Sequence, residues 1–329
     1  MSSTGSSKSK SRAVALAAVA FVVAAASVAV AVGRKSAVMK REILRYDRLC
    51  EQRDWRKIIE LSDAREPLSL AAYGYRNLAL ANEGKLLDGL FRWPDMEPSG
   101  LVPESRSTEY SNYVEMEIFY WMGLVNISRR YAFEAQEAAP DHKARPRLYR
   151  RLAETNILLG YDEVAAKYLH VLRRCLARCY REWDAYGNPE YPLIRSRQPR
   201  SFDIFFSEVR LQEIERALLR DNPDNAVAAQ YLLASLLLEK DLEGFCDIVE
   251  GMKFPSPAPR YVQEAVAVLH HDSPLVSDLT RRRLADFRRS ASAAQSTEEM
   301  IRTYPDTYWL YYFYRNLNPP SSDEAPAHQ

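Results

Sequence analysis

Residues 145–180, RPRLYRRLAETNILLGYDEVAAKYLHVLRRCLARCY, decide the fold. A helical run from Arg145 is stopped by Gly160, a residue that enters the left-handed conformation of a helix end without steric cost. A second helical run starts at once with Tyr161 and Asp162. The reading is a helix, a tight turn and a second helix.

The same grammar recurs on both sides. Upstream, Asp54 suits the cap of DWRKIIELS, and Pro67 suits the first turn of PLSLAAYGYRNLALANEG, which ends at Gly84 before KLLDGLFRW. Leu70, Ala71, Gly74, Leu78 and Ala81 share one face of that helix. Downstream, NAVAAQYLLASLLLEK is followed by DLEGFCDIVEGM. The turn points Gly84, Gly160 and Lys240 lie 76 and 80 residues apart, about two units of 38 to 40 residues each. A further pair, TEYSNYVEMEIFYWMGLVN and ISRRYAFEAQEA, fills the first gap. Small residues follow each turn by four or five positions, at Gly89, Ala165 and Gly244, where they let antiparallel helices approach. Insertions at 93–108 and 184–200 interrupt the array; the second, DAYGNPEYPLIRSRQPR, suits a lid, a docking loop or a bridge, and the bridge is favoured.

Composition agrees with an all-α chain. Glycine is scarce, 11 in 329 residues, whereas 47% of the chain is hydrophobic, enough for a large core. Before residue 33 all the charge is basic (Lys8, Lys10, Arg12), which leaves 42 basic and 44 acidic residues beyond it. Such a balance argues against a nucleic-acid partner, which requires a basic face to release counterions. The four cysteines, Cys50, Cys175, Cys179 and Cys246, imply no disulfide framework; Cys175 and Cys179 share a helix face as buried free thiols rather than a metal pair.

Twenty uncharged residues, Ala13–Val32, are long enough to cross the roughly 30 Å hydrocarbon layer as a helix. Ala29-Val30-Ala31 offers a small-residue cleavage site, but the apolar run exceeds a signal-peptide core and no polar break precedes it. An uncleaved single-pass anchor is the expectation. Basic residues on both flanks leave the side of the soluble body, cytoplasmic or periplasmic, open. The expected organisation is a basic tail (1–12), a transmembrane anchor (13–32), helical repeats (36–252), a helical cap (253–318) and a disordered tail (319–329). The cap carries an arginine run, Arg281, Arg282, Arg283, Arg288 and Arg289. It ends on DTYWLYYFYRN, whose aromatic residues suit either closing an open end of the array or docking on a partner or bilayer.

The units resemble tetratricopeptide repeats in the spacing of Tyr149, Ala153, Gly160, Tyr161 and Ala165, with an incomplete aromatic-leucine-glycine opening. The strings EYSNYVEMEIFYWMGLVNISRRYAFEAQEA, RLAETNILLGYDEVAAKYL, DNPDNAVAAQYLLASLLLEKDLEGF and TYPDTYWLYYFYRN are similar to the soluble part of an uncharacterised Bacteroidota membrane-protein family with tetratricopeptide-like helices, over about residues 40–316. Members of that family carry several membrane helices before this part where this chain has one. The resemblance implies fold and membrane location, and no catalytic residues.

No chemistry-bearing pattern stands out. Phosphate-binding glycine loops, a nucleophile elbow and a paired-histidine zinc string are all missing. Glu115, Glu117, Asp162 and Glu163 read as solvated carboxylates at helix surfaces or starts. No enzyme activity, cofactor or metal is expected. The expected function is a membrane-anchored α-solenoid scaffold binding a protein or peptide partner, the alternative an accessory envelope protein binding a glycan or lipid. Tyr73, Arg76, Asn77, Tyr149 and Asn156, on the first helices of the pairs, are the candidate partner-binding residues; they equally suit surface or packing positions.

Overall fold

The computed structural model of the chain describes residues 32–93, 96–103, 109–139, 145–201, 211–294 and 296–315. The chain divides into two compact units, 1–45 and 46–329. In the first, residues 32–45 are helical, and residues 13–31 of the expected anchor lie outside the described residues, as does the tail from 316. Among the described residues no helix is long and apolar enough to cross a membrane.

In the second unit every regular element among the described residues is helical. The order is α1 (46–51), α2 (Trp55–Ala64), α3 (Leu70–Asn82), α4 (Leu86–Gly89), α5 (Pro98–Leu101), α6 (Glu109–Met122), α7 (Val125–Glu137), α8 (Pro146–Leu158) and α9 (Asp162–Arg173). There follow α10 (Arg178–Arg181), α11 (Tyr191–Arg197), α12 (Leu211–Asp221), α13 (Ala226–Leu238), α14 (Leu242–Glu250), α15 (Arg260–Leu269), α16 (Asp278–Ala293), α17 (Thr297–Thr303) and α18 (Tyr308–Tyr314).

Side chains that accept from orphan backbone donors set where the helices begin. Asp54 accepts from Lys57 N at 3.1 Å, Asn225 from Ala228 N at 3.0 Å and Asp241 from Gly244 N at 2.9 Å. The start of α3 corrects the sequence reading. Ser69, not the neighbourhood of Pro67, caps it through Ala72 N at 3.2 Å, so the helix opens three residues later than proline at its first turn implies.

Several helix ends share one device. At Gly160 (φ +77°) the N–H donates to Ile157 O at 3.1 Å, and the Tyr161 N–H donates to Asn156 O at 2.8 Å. This is the left-handed glycine termination, and the same bond pair recurs at Gly84, Gly123 and Lys240. Lys240 adopts the left-handed conformation (φ +62°) despite its side chain, at a cost of about 1 kcal/mol. Its Nζ donates to the carbonyls of Tyr312 and Arg315, tying this turn to the end of α18.

The small residues after the turns act in two different ways. At Gly89 a Cβ would lie 3.0 Å from Leu80 of α3, the close approach of paired helices. Gly244 instead faces its own helix cap: a Cβ there would lie 2.5 Å from the Asp241 carboxylate. The second helix of the opening stretch is shorter than its sequence suggests. It ends at Arg173, with Cys175 beyond it and Cys179 in α10, so these thiols share no continuous helix. Cys179 is exposed, and the buried thiols are Cys50 and Cys246.

Packing follows chain order in one arm and leaves it in the other. Helix α6 packs on α7, α7 on α8 and α8 on α9, as in a helical array. By contrast α13 packs on α3, α4, α5 and α6 as well as on α12 and α14, and α15 packs on α4 and α18. The chain turns back after α10 and lays its C-terminal helices along the first pairs. Burial follows: α3 and α13 are covered almost all round, from Ala71 to Ala81 and over most of Val227–Leu238. Helix α18 buries Tyr308, Trp309, Leu310 and Tyr311, with Phe91 packed against the rings of Tyr308 and Tyr311.

The segment 184–200 is the bridge of this turn-back. Arg197 donates to Trp121 O at 2.7 Å and to Asn82 Oδ1 at 2.9 Å; Asn225 donates to Met122 O and Arg197 O, each at 2.8 Å. The turn at Gly123 receives this bridge directly, for a Cβ there would lie 2.5 Å from the Arg197 carbonyl. Two glycine variants separate conformation from crowding. Gly160→Ala, with open space around the added methyl, should lose about 1 kcal/mol, the cost of left-handed backbone. Gly123→Ala should lose roughly 2–4 kcal/mol because it adds overpacking. Urea midpoints of the two variants against the parent chain measure the difference.

Candidate functional site

Two features meet on α8, a buried ion cluster on one side and an open groove on the other. The cluster begins with composition. Helix α6 carries Val114, Met116, Ile118, Phe119, Tyr120, Trp121 and Met122, all buried, so Glu117 between them is buried as well. Both Glu115 and Glu117 are thus core carboxylates, a correction to their reading as solvated surface groups; Asp162 and Glu163 are exposed at the start of α9.

A buried carboxylate that stays ionised needs cations at close range. Arg147 and Arg151, one turn apart on α8, supply them. Arg151 Nη2 donates to both Glu117 oxygens at 2.8 and 2.7 Å, and Arg147 Nη2 to Oε1 at 2.6 Å. Trp121 Nε1 and the Cys50 thiol complete the shell, each 3.3 Å from Oε2. Arg147 also spans to Asp47 of α1 at 3.0 and 3.2 Å, and Asp47 accepts from Tyr75 of α3 at 3.1 Å. Arg151 reaches Glu154 at 2.7 Å and lies 3.4 Å above the Tyr120 ring. Arg150 pairs with Glu154 and with Glu51, each at 2.9 Å. Asn188 of the bridge donates to Glu154 at 3.1 Å. One cluster thereby joins α1, α3, α6, α8 and the bridge.

Its electrostatics are those of a structural cluster. Burial pushes the Glu117 carboxyl up, but Arg147 and Arg151 outweigh it and hold the group down at about 2. Burial lifts the Cys50 thiol well above its usual value, with Glu117 and Asp47 adding to the effect. At neutral pH Glu117 is therefore ionised with both oxygens taken up by donors, and the Cys50 thiol stays neutral and donates to it. At the cluster's edge a cleft of about 400 Å³ is lined by Glu51, Arg53, Arg150, Trp183 and Glu190. Glu51 is held there by Arg150 at 2.9 Å and Glu190 by Arg53 at 3.5 Å. Among the described residues no cluster of His, Cys, Asp and Glu is placed to hold a metal ion.

The other side of α8 floors a groove of about 650 Å³ between α7 and α9. Helix α9 buries Ala165 and Leu172 against α8, yet a second apolar line, Tyr161, Val164, Tyr168 and Val171, runs along it at three- and four-residue spacing. Tyr161 is 49% exposed, Val164 38% and Val171 37%; across the groove Phe133 of α7 is 52% exposed. Arg129 lies 5.2 Å over the Tyr161 ring and 3.4 Å from Asn156 Oδ1. Among the described residues Arg129 has no carboxylate at ion-pair distance.

The residues expected to bind a partner do not form one surface. Asn156 lines this groove, and Tyr149 packs its ring edge-on against Tyr168 at 5.4 Å. Tyr73, Arg76 and Asn77 are buried inside the first pairs. Tyr73 donates to Glu66 at 2.6 Å, Arg76 to Gly89 O and Asp63 at 2.9 Å each, and Asn77 to Gly100 O at 2.9 Å. They pack α3 against its neighbours, because α3 lies under the returning α13 and has no free face. The α9 stripe escaped the sequence reading although its spacing was visible in YDEVAAKYLHV. Periodicity says that a face is apolar, and only tertiary contacts say which apolar face is left open.

Over residues 5–315 the chain matches the model of DUF6057, described as a family of unknown function. That span takes in the apolar stretch 13–32. No curated protein and no solved structure matches the chain.

Two carboxylates on α6 should titrate in opposite senses. Glu117 is depressed, so its stabilisation is complete above about 4.5 and lost as pH falls toward about 2. Burial, aided by Glu134, raises Glu115 to about 8, so its stabilisation is complete below about 4.5 and lost as pH rises through about 8. Glu117→Gln should cost roughly 3–5 kcal/mol at neutral pH by taking the shared carboxylate from two buried guanidinium groups, leaving Arg147 with Asp47 and Arg151 with Glu154. Glu115→Gln should reduce the alkaline decline, leaving the part that the buried Glu215 contributes. Denaturant unfolding from pH 3 to 9 distinguishes them; a Glu117→Gln variant as stable as the parent would contradict the cluster's role.

Proposed function

The chain belongs to the DUF6057 family, and for it we propose a membrane-anchored, tetratricopeptide-like scaffold that binds a protein segment in the groove between α7 and α9. The observation that carries this reading is the exposed apolar stripe of α9 facing Phe133. Helices of an array normally bury such stripes against the next helix, and here the four-residue α10 follows α9 before the chain turns back. An open face of this size costs solubility and is a mark of interaction sites. The polar rim at Arg129 and Asn156 supplies the oriented hydrogen-bonding groups that set register at an interface. The paired helices with left-handed terminations support the repeat description. The uncharged Ala13–Val32 run supports the anchor.

The glycan or lipid alternative finds some support in a second pocket, beside α17 and α18, lined by Phe91, Trp93, Tyr311 and Tyr314. Its volume of about 210 Å³ is below the roughly 300–1,000 Å³ usual for ligand sites. The groove is the better supported site.

Proximity crosslinking from the full-length chain in its native membrane, followed by pull-down, tests the proposal. Replacing Phe133 and Tyr168 together by Ala should remove captured partners at least tenfold while leaving the melting temperature of the purified chain nearly unchanged. Partners retained in full by a folded double variant would overturn the groove assignment. Recovery of the chain in the soluble fraction would overturn the anchor.

A further inference from the structure

Resting on that reading of the groove, we infer that its occupant is an acidic amphipathic helix of about three turns. Length comes first. Tyr161 to Val171 spans ten residues, about 15 Å at 1.5 Å per residue. The stripe's spacing, with side chains at positions 161, 164, 168 and 171, presents the ridge that a helix of matching spacing fills.

The charge around this stripe selects the sign of the occupant. Lys167 and Arg174 follow Val164 and Val171 by three residues each and so flank the stripe on one side; both are exposed and neither pairs with a carboxylate among the described residues. On the other side Arg129 stands over Tyr161, and Arg130 is matched by Glu134 at 2.6 Å. Glu163 is the acidic side chain on the Lys167 side. Arg129, Lys167 and Arg174, with no ion-pair partner among the described residues, thus border an apolar floor. Glutamates flanking the apolar ridge of a docked helix meet them, whereas lysines there meet like charge.

The helical form also follows from the array. Helix α7 is covered by α6 and α8, and α8 by α7 and α9, whereas α9 packs on α8 and the four-residue α10. A helix laid along α9 repeats the contact that α8 makes along α7.

The test uses the purified full-length chain and three fluorescein-labelled 14-residue peptides, read by fluorescence anisotropy. The first carries Leu at i, i+3, i+7 and i+10 with Glu on the flanks and Ala elsewhere. In the second, Lys replaces every Glu. The third is the acidic peptide with two central prolines that block the helix. The acidic helix should bind at least tenfold more tightly than either counterpart, and Lys167→Glu should cut that preference at least threefold in a chain whose melting temperature is unchanged. Equal binding of the lysine or proline peptide would overturn the acidic-helix inference while leaving a protein-binding groove standing. Failure of all three peptides, with crosslinked partners still lost in the Phe133/Tyr168 double variant, would likewise overturn the acidic helix alone. Failure together with partners retained would overturn both.

Discussion

The interaction on which the second unit depends is the buried contact between Glu117 and the paired guanidinium groups of Arg147 and Arg151. An ionised carboxylate inside a helix as apolar as α6 is tolerable only with close, well-directed donors, and this one receives six side-chain donor contacts within 3.3 Å from α8, Trp121 and Cys50. Geometry of this kind fixes register: α8 cannot slide or rotate against α6 without stranding charge. A purely apolar contact of the same area would be at least as stable and much less particular. The cluster also reaches α1 through Asp47 and the bridge through Glu154 and Asn188, so four segments distant in sequence are referenced to one carboxylate.

That placement has a consequence on the opposite side of α8. With α8 fixed, α7 and α9 sit on either side of it, and the groove between them has a rigid floor. The returning C-terminal helices cover α3 instead of α9. Covering and exposure are therefore two results of one topological event, the turn-back through 184–200, held by Arg197 against the Trp121 carbonyl and by Asn225 against the carbonyls of Met122 and Arg197. The aromatic helix α18 belongs to the covering arm: its buried face packs near Phe91, and Lys240 closes its end.

Much of this was legible in the sequence and some was not, for physical reasons. The left-handed turns at Gly84 and Gly160 were visible because glycine is the residue that such turns select, and even Lys240 was placed correctly by the spacing of the pairs. The cap Asp54 was readable from residue type, and Asp241, which carries the same signal, was shown by the structure. Burial of Tyr73, Arg76 and Asn77 was not, since α13 reaches α3 from about 150 residues away and no local pattern encodes that contact. Glu117 was misread as a surface group, although a signal existed: seven apolar neighbours in VEMEIFYWM leave it no solvated face, and RPRLYRR offers cations at one-turn spacing. The open stripe of α9 needed the topology itself.

The dependence of the groove on the ion cluster can be measured directly by hydrogen exchange on the Glu117→Gln chain. Loss of the cluster's centre should raise exchange in α8 and α9, where the groove is built, while α13, α14 and α15 keep the protection of the parent. A uniform loss across all helices, or unchanged protection in α8 and α9, would contradict the account that this carboxylate positions the binding face.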